Sequence, residues 1–393
     1  MSTAHITIGT SANGKACGAG DYEIGSLATL FATPDSGYSF TQWNDGVTLN
    51  PRTVKVTENA TYTASFNGST PASNVIRYNA ATAVNGDGQW ILNNTDTSRN
   101  TYDSVTGNGV LYLNAGVTII GNNQDYGSLY YSPFYNKSDL VSVDLTDSGL
   151  ETIDQNTFSG CTNLTSVSIP SSATYIAMYL TFKGCTALAS ITVDPNNARF
   201  SDGNGSNCII ELWSTYYDLL SYGCKNTVIP SNANVGVIHN NAFENCTGLT
   251  SINIPNSVFT IGENAFKGCT GLTSVTFSPN SHLMHIYANA FKGCTGLTSI
   301  TIPIDDEIGD YAFQGCTGLT SVTITGNVYE IGAGAFNGCS SLASVTCYAT
   351  TPPSLENDSF DAPISTLYVP AASVSAYQSD ASWSAAFTTI TSI

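Results

Sequence analysis

Charge is what this sequence most lacks. Only 10% of its 393 residues are charged, against roughly 25% in an ordinary soluble domain. The few charges lean one way: 29 Asp and Glu against 11 Lys and Arg, a net charge of −18. So acidic a surface repels phosphate backbones and anionic lipid, which directs the expectation away from nucleic-acid and membrane-surface partners. Solubility is left to Ser, Thr, Asn and Gly. No apolar run is long enough to span a bilayer, so no membrane insertion is expected. The first residues, MSTAHITIGTSANG, lack the basic and apolar regions of a secretory signal. The expectation is either a leader removed upstream or exit from the cell by another route.

The motifs of common catalysts are missing as well. There is no G-x-S-x-G elbow, no H-E-x-x-H and no P-loop lysine motif. Two carboxylates facing each other across a cleft, as glycoside hydrolysis requires, cannot be picked out. No catalytic residue, no enzymatic activity and no cofactor are expected.

Metal chemistry fares no better. Zinc takes ligands two to four residues apart within a loop, and the eleven cysteines include no C-x-x-C. Most recur at a long and nearly even interval, which reads as buried free thiols acting as small hydrophobes. The histidines are His5, His239, His282 and His285. The last two form an H-x-x-H without a carboxylate or cysteine close in sequence. Asp305, Asp306, Glu307 and Asp310 offer hard oxygen ligands to Ca²⁺ but not the spacing of a calcium loop, and they read as a solvated turn. No metal site is expected.

What is present is a repeat. Phe158, Phe182, Phe243, Phe266, Phe291, Phe313 and Phe336 each open the same phrase, best seen in AFKGCTGLTSV (Ala265 to Val275) and AFKGCTGLTSI (Ala290 to Ile300). Three positions after each stands a cysteine: Cys161, Cys185, Cys246, Cys269, Cys294, Cys316 and Cys339. The phenylalanines keep a nearly constant step, broken only by the long stretch from Phe182 to Phe243. A period of about 23 residues is too short for a helix pair, which needs roughly 33 or more. It fits one short strand plus tight turns per coil.

Within a coil, Leu272-Thr273-Ser274-Val275-Thr276-Phe277 carries the L-x-x-L-x-L pattern of a leucine-rich repeat. Val275 and Phe277 point to one side of the strand, Ser274 and Thr276 to the other. Phe266, Cys269 and Leu272 fill the interior, and Gly268 and Gly271 permit turns. One coil buries little alone; stacked coils share a core. The outward positions form two rows: Ser166, Ser251, Ser274, Ser299, Ser321 and Ser344, and Ser168, Asn253, Thr276, Thr301, Thr323 and Thr346. Both rows are flat, small and neutral.

The remaining segments divide the chain. Residues 1–67 alternate in short stretches between Gly, Asn and Pro turns, as a small all-β domain does, and 68–74 read as a linker. Residues 75–137 read as an N-terminal cap and irregular coils, and 138–347 as the repeats, with an insertion at about 193–240. There Cys208 and Cys224 fall near the repeat spacing, although neither has a Phe three positions earlier. Residues 348–393 read as a C-terminal cap. In it Leu367-Tyr368-Val369-Pro370 is the last strand, followed by short helices capped by Ser379 or Asp380, with Trp383 and Phe387 on their buried side.

The phrase AF-x-GCTGLTSV-x-IP, with its IG step, resembles the BspA-like leucine-rich repeat surface proteins over roughly Leu140 to Cys347. The ATTPPSL…LYVPAASVSAYQ…WSAAF ending is similar to theirs. Residues 1–67, through Gly25, GYSFTQWNDG and VTENATYTASF, resemble an internalin-type B-repeat. The resemblance implies a mostly β fold, a right-handed leucine-rich-repeat solenoid with a small N-terminal β domain and a short helical C-terminal cap. It also implies surface-displayed binders and adhesins without a common catalytic residue.

Aromatic side chains outside the repeat core are the candidate binding residues, because they give large contact areas and stack on sugar rings. They are Trp213, Tyr216 and Tyr217 in the insertion, and Tyr130 and Tyr131, with Tyr126 and Tyr135, before the repeats. The expected function is non-catalytic binding or adhesion to a protein or glycan of a host or cell surface, with an extracellular or cell-surface location. The alternative is a virion structural protein of a bacteriophage, such as a fibre, decoration or receptor-binding protein.

Overall fold

The computed structural model describes residues 2–9, 11–34, 39–67, 74–84, 94–95, 97, 99–121, 132–177, 181–212, 217–231, 234–281, 283–361 and 363–393. They fall into two units: residues 1–185 with 192–198, and residues 186–191 with 199–393.

In the second unit each coil makes two strands. Those of the first sheet are Ser251–Ile254, Ser274–Phe277, Ser299–Ile302, Ser321–Ile324, Ser344–Cys347 and Ile364–Val369. Those of the second include Val235–Ile238, Thr260–Ile261, Leu283–Ile286, Ile304–Ile308, Glu330–Ile331 and Ser354–Leu355, paired in parallel. A turn carrying Phe and Cys leads from the second sheet of a coil into its next first-sheet strand. Its glycine takes a positive φ, 72° at Gly268 and Gly293, which a residue with a Cβ adopts only at a cost.

Successive turns are joined through their backbones. The N–H of Phe243, Phe266, Phe291 and Phe313 donates to the carbonyl of the residue preceding the next coil's phenylalanine (Ala265, Ala290, Ala312 and Ala335), each at 2.7 Å. This spacing stacks the rings. From Phe243 through Phe266, Phe291, Phe313 and Phe336 to Phe360, neighbouring centroids lie 4.8 to 5.2 Å apart and planes within 9° of parallel. Full burial of each ring is worth about 1.5–3 kcal/mol. Phe360 extends the row beyond the seven phenylalanines of the repeat phrase.

One expectation for this unit is made specific and one is corrected. The stretch expected to hold an insertion contains an antiparallel meander: Phe200–Ser201 pairs with Cys208–Glu211, which pairs with Asp218–Gly223 before parallel pairing resumes. Cys208 therefore lies in a strand, and the Cys224 thiol donates to the Asn207 carbonyl, not to that of a phenylalanine. At the C-terminus, Ile364–Val369 is not the last strand. Phe387 opens a further one, Phe387–Ser392, which pairs with it in parallel. Before it come helices α1 (Val374–Ser379) and α2 (Ala381–Ala386), the second capped by Asp380, which accepts from the N–H of Ser382 and Trp383. Trp383 is fully buried and donates to the Pro353 carbonyl at 2.8 Å.

The first unit begins with eight short strands around a core of Ile6, Leu30, Trp43 and Val54. Trp43 is wholly buried, with its indole N–H donating to the Leu49 carbonyl at 2.9 Å. Strand Val75–Ala80 then lies antiparallel between Asn108–Tyr112 and Leu140–Asp144, and parallel pairing starts from Leu140–Asp144 to Ser166–Ile169. Antiparallel strands so cover the edge that the first coil would otherwise leave open. Phe134, Phe158 and Phe182 stack here at 5.7 and 5.4 Å. In this unit the outward row is not uniformly exposed: Ser168 is buried and donates to the Asp144 carboxylate.

Candidate binding surfaces

Among the described residues the repeat interior is filled by packed Phe, Leu, Ile, Val and Cys side chains. The thiols of Cys161, Cys185, Cys269, Cys294, Cys316 and Cys339 each reach back one coil and donate to the carbonyl of Phe134, Phe158, Phe243, Phe266, Phe291 and Phe313. The sequence reading of small hydrophobes was incomplete: the row is a line of hydrogen bonds. All eleven cysteines are free. Burial pushes the thiols of Cys161, Cys208 and Cys246 up to about 12, so they stay protonated and can donate. Among the described residues no group of three or more His, Cys, Asp or Glu is placed to hold a metal ion.

Of the candidate residues, Trp213, Tyr216, Tyr130, Tyr131 and Tyr126 lie outside the described residues, as does His282. Tyr217 packs edge-on against Phe259, the residue before strand Thr260–Ile261, with centroids 5.2 Å apart.

The second sheet carries the features that sequence reasoning missed. Asp305, Asp306 and Glu307 are not a solvated turn but part of strand Ile304–Ile308, anchored by buried Ile304 and Ile308. In register, His285 stands beside Glu307 and Glu307 beside Glu330. His285 Nδ1 lies 3.2 Å from Asp306 Oδ2 and 3.8 Å from Glu307 Oε1. The carboxylates absent from its own stretch of sequence come from the next coil. Its ring stacks on Tyr287 at 5.4 Å and 12°. Tyr287 and Tyr329 are 41% and 53% exposed and Met284 47%. Burial, then Glu356, Glu307 and Asp310, raise the Glu330 carboxyl above its ordinary value.

Tyr311 adds a backbone anomaly. It has a φ of 56° at a position that Asn264, Asn289, Gly334 and Asp358 hold in neighbouring coils. A tyrosine there costs roughly 1–2 kcal/mol. Its ring lies over Gly334, where a Cβ would come within 2.7 Å of it, and the Lys292 ammonium sits 5.8 Å from its centroid.

These coils match the family model of the BspA type leucine rich repeat region in six copies, over residues 112–215 and 236–367. The chain belongs to the BspA-type leucine-rich repeat family. Residues 4–70 match the divergent InlB B-repeat domain. A search of curated proteins finds no match. Solved structures of similar chains include a leucine rich cell surface protein from Faecalibacterium prausnitzii, 27% identical over 55% of this chain and 61% of its own, with a TM-score of 0.43. Others are the pneumococcal vaccine antigen PcpA (19% identity, 64% and 68% covered, TM-score 0.44) and a leucine-rich repeat protein of T. pallidum (32%, 35% and 68%, 0.33). The BspA-type chain described here thus spans 61% of the length of the Faecalibacterium protein. Leucine-rich-repeat solenoids of this family are typically binding scaffolds, and no helix among the described residues is long and apolar enough to cross a membrane.

Proposed function

We propose that this chain is a non-catalytic adhesion protein that recognises a protein on a cell surface through the second-sheet face of its repeats. The carrying observation is the exposed set Met284, Tyr287 and Tyr329 beside the carboxylates of Asp306, Glu307 and Glu330. Tyrosines supply contact area at small entropic cost, and carboxylates select the partner. The fitting partner presents lysine or arginine side chains. Trp213, Tyr216, Tyr130 and Tyr131 remain proposed anchors for the same role. In support, the strained Tyr311 adds an aromatic ring where its neighbours use small residues, and such strain concentrates at functional sites.

The test is capture of cell-surface proteins by the intact chain, by a Tyr287→Ala/Tyr329→Ala variant and by a Ser321→Lys/Ser344→Lys variant of the Ser/Thr row. Capture should fall about tenfold in the first and hold in the second, with the partner recovered at unchanged mass. Loss in the Lys variant alone, or a chemically altered partner, sinks the reading.

One observation favours a second reading, a bacteriophage virion protein: eleven thiols without a disulfide suit assembly in a reducing cytoplasm. Finding the chain in purified virions and not on cells would select it.

A further inference from the structure

The longest and the shortest regular coils are neighbours: the first runs from Phe266 to Phe291, the second from Phe291 to Phe313. The long coil spends its extra length after strand Ser274–Phe277, on a turn that includes Asn280 at φ 58°. The short coil passes from Ile302 through Pro303 straight into Ile304–Ile308. The first sheet breaks between these two coils, although the second sheet stays paired across them. Strand Ser251–Ile254 pairs with Ser274–Phe277, and Ser299–Ile302 with Ser321–Ile324, but among the described residues no ladder joins Ser274–Phe277 to Ser299–Ile302.

A cleft of about 480 Å³ opens at the break. It falls in the size range of small-molecule sites, roughly 300–1,000 Å³. The hydroxyls of Ser274, Thr276 and Thr301 line it, and Phe277, Pro279 and Pro303 give it apolar walls. No lining residue is charged, in a chain of net charge −18. The Ser281 hydroxyl, also in the lining, is shielded from solvent and has no hydrogen-bond partner among the described residues, as is true of the equivalent Ser257 one coil earlier. A sheltered hydroxyl without a partner is costly unless something supplies one.

We infer that this cleft binds a neutral oligosaccharide. Small hydroxyls both donate and accept, which matches the hydroxyls of a sugar. The half-buried Phe277 ring and the prolines offer surfaces for the apolar face of a pyranose. An ionic ligand would find no counter-charge. A peptide strand wedged between the two edges would need about 9.5 Å, whereas Cα atoms of the two strands still approach within 8 Å. The site is independent of the second-sheet face.

The experiment probes an array of neutral gluco-, galacto- and manno-oligosaccharides of two to six sugars with the full chain and its variants. Thr301→Trp fills the cleft; Thr323→Trp makes the same change one coil on, where the ladder is intact. Bound signal should fall at least tenfold in the first and stay within twofold in the second, and Ser281→Ala should lower it about threefold. Tyr287→Ala/Tyr329→Ala should leave it unchanged, so that the two surfaces are read separately. Absence of any signal from the intact chain overturns the inference, as does undiminished binding by Thr301→Trp. Should Thr301→Trp melt early, undiminished binding by Ser281→Ala overturns it instead.

Discussion

The thiol of Cys294 lies 3.2 Å from the carbonyl oxygen of Phe266, one coil earlier in the chain. That oxygen also accepts the N–H of Cys269 at 3.1 Å. One carbonyl thus closes its own turn and ties down the next coil. Cys294→Ala removes the second bond and leaves a small void, and should cost about 1–2 kcal/mol. Cys294→Ser keeps a donor and should recover part of the loss. Chemical denaturation of the three proteins checks this; a serine variant no better than alanine would assign the cysteine to space-filling alone.

Thiol chemistry provides a broader check. Eight cysteines are buried, and Cys17, Cys185 and Cys246 partly so. Because those eight are shielded from solvent, titration of the native protein with an aromatic disulfide should leave them unreacted. In denaturant without reductant all eleven should react. Three or more missing would mean disulfides that contradict the packing.

Phe291 sits between Phe266 and Phe313 with centroids 4.9 and 5.1 Å away, fully buried. Phe291→Ala should cost roughly 3–5 kcal/mol. Ser299→Ala, on the exposed side of the adjoining strand, should stay within about 0.5 kcal/mol. Equal effects in urea unfolding would mean that the strand faces have been assigned wrongly.

Asp144 is fully buried, and its carboxyl is raised above the ordinary value by that burial, against the pull of the Arg77 guanidinium. A raised folded value means that the folded chain holds the proton more tightly than the unfolded chain. This contribution is fully present below the ordinary carboxyl range and is lost as pH rises through the folded value. Asp144→Asn should therefore flatten the decline in stability of the first unit as pH rises from the acid range to neutrality. Urea midpoints measured across that range test it; an unchanged slope in the variant refutes it.

Tyr311→Asn should remove left-handed strain and gain up to about 1 kcal/mol in thermal unfolding, while weakening capture of the proposed basic partner. A gain in stability with no loss of capture would make the strained tyrosine a matter of packing only.

How much of this was legible in the sequence depends on whether a feature repeats. The ring row from Phe243 to Phe336 could be read because Phe, Cys and Leu recur together in phase. Phe134 and Phe360 occupy the same kind of row, each one repeat period from its neighbour, but neither has a cysteine three positions on, so the phrase hides them. The partner of each thiol was out of reach, since periodicity places a side chain inside without naming the atom it meets. His285 seemed isolated because Asp306 belongs to the next coil. The broken first sheet left one trace, a long interval adjoining a short one, which looks like scatter until the pairing is known. WSAAF continues a helical composition and points Phe387 to a helix; its pairing with Ile364 outweighs that local preference.

The backward-reaching thiol also bears on how such a chain can change its length. Each donor meets an acceptor of the same kind in the coil before it, and the copies from Ala265 to Val275 and Ala290 to Ile300 differ only at their last position, Val against Ile. Excising Phe266 to Ala290 would set Phe291 against Phe243 and give Cys294 the carbonyl that Cys269 now uses. The ring stack and the row of thiol hydrogen bonds would both continue, whereas losing half a coil would leave a ring or a thiol without its neighbour. Near-identical coils are also where a gene most easily recombines with itself. Copy number is thus the dimension along which this architecture can vary without relearning how to fold.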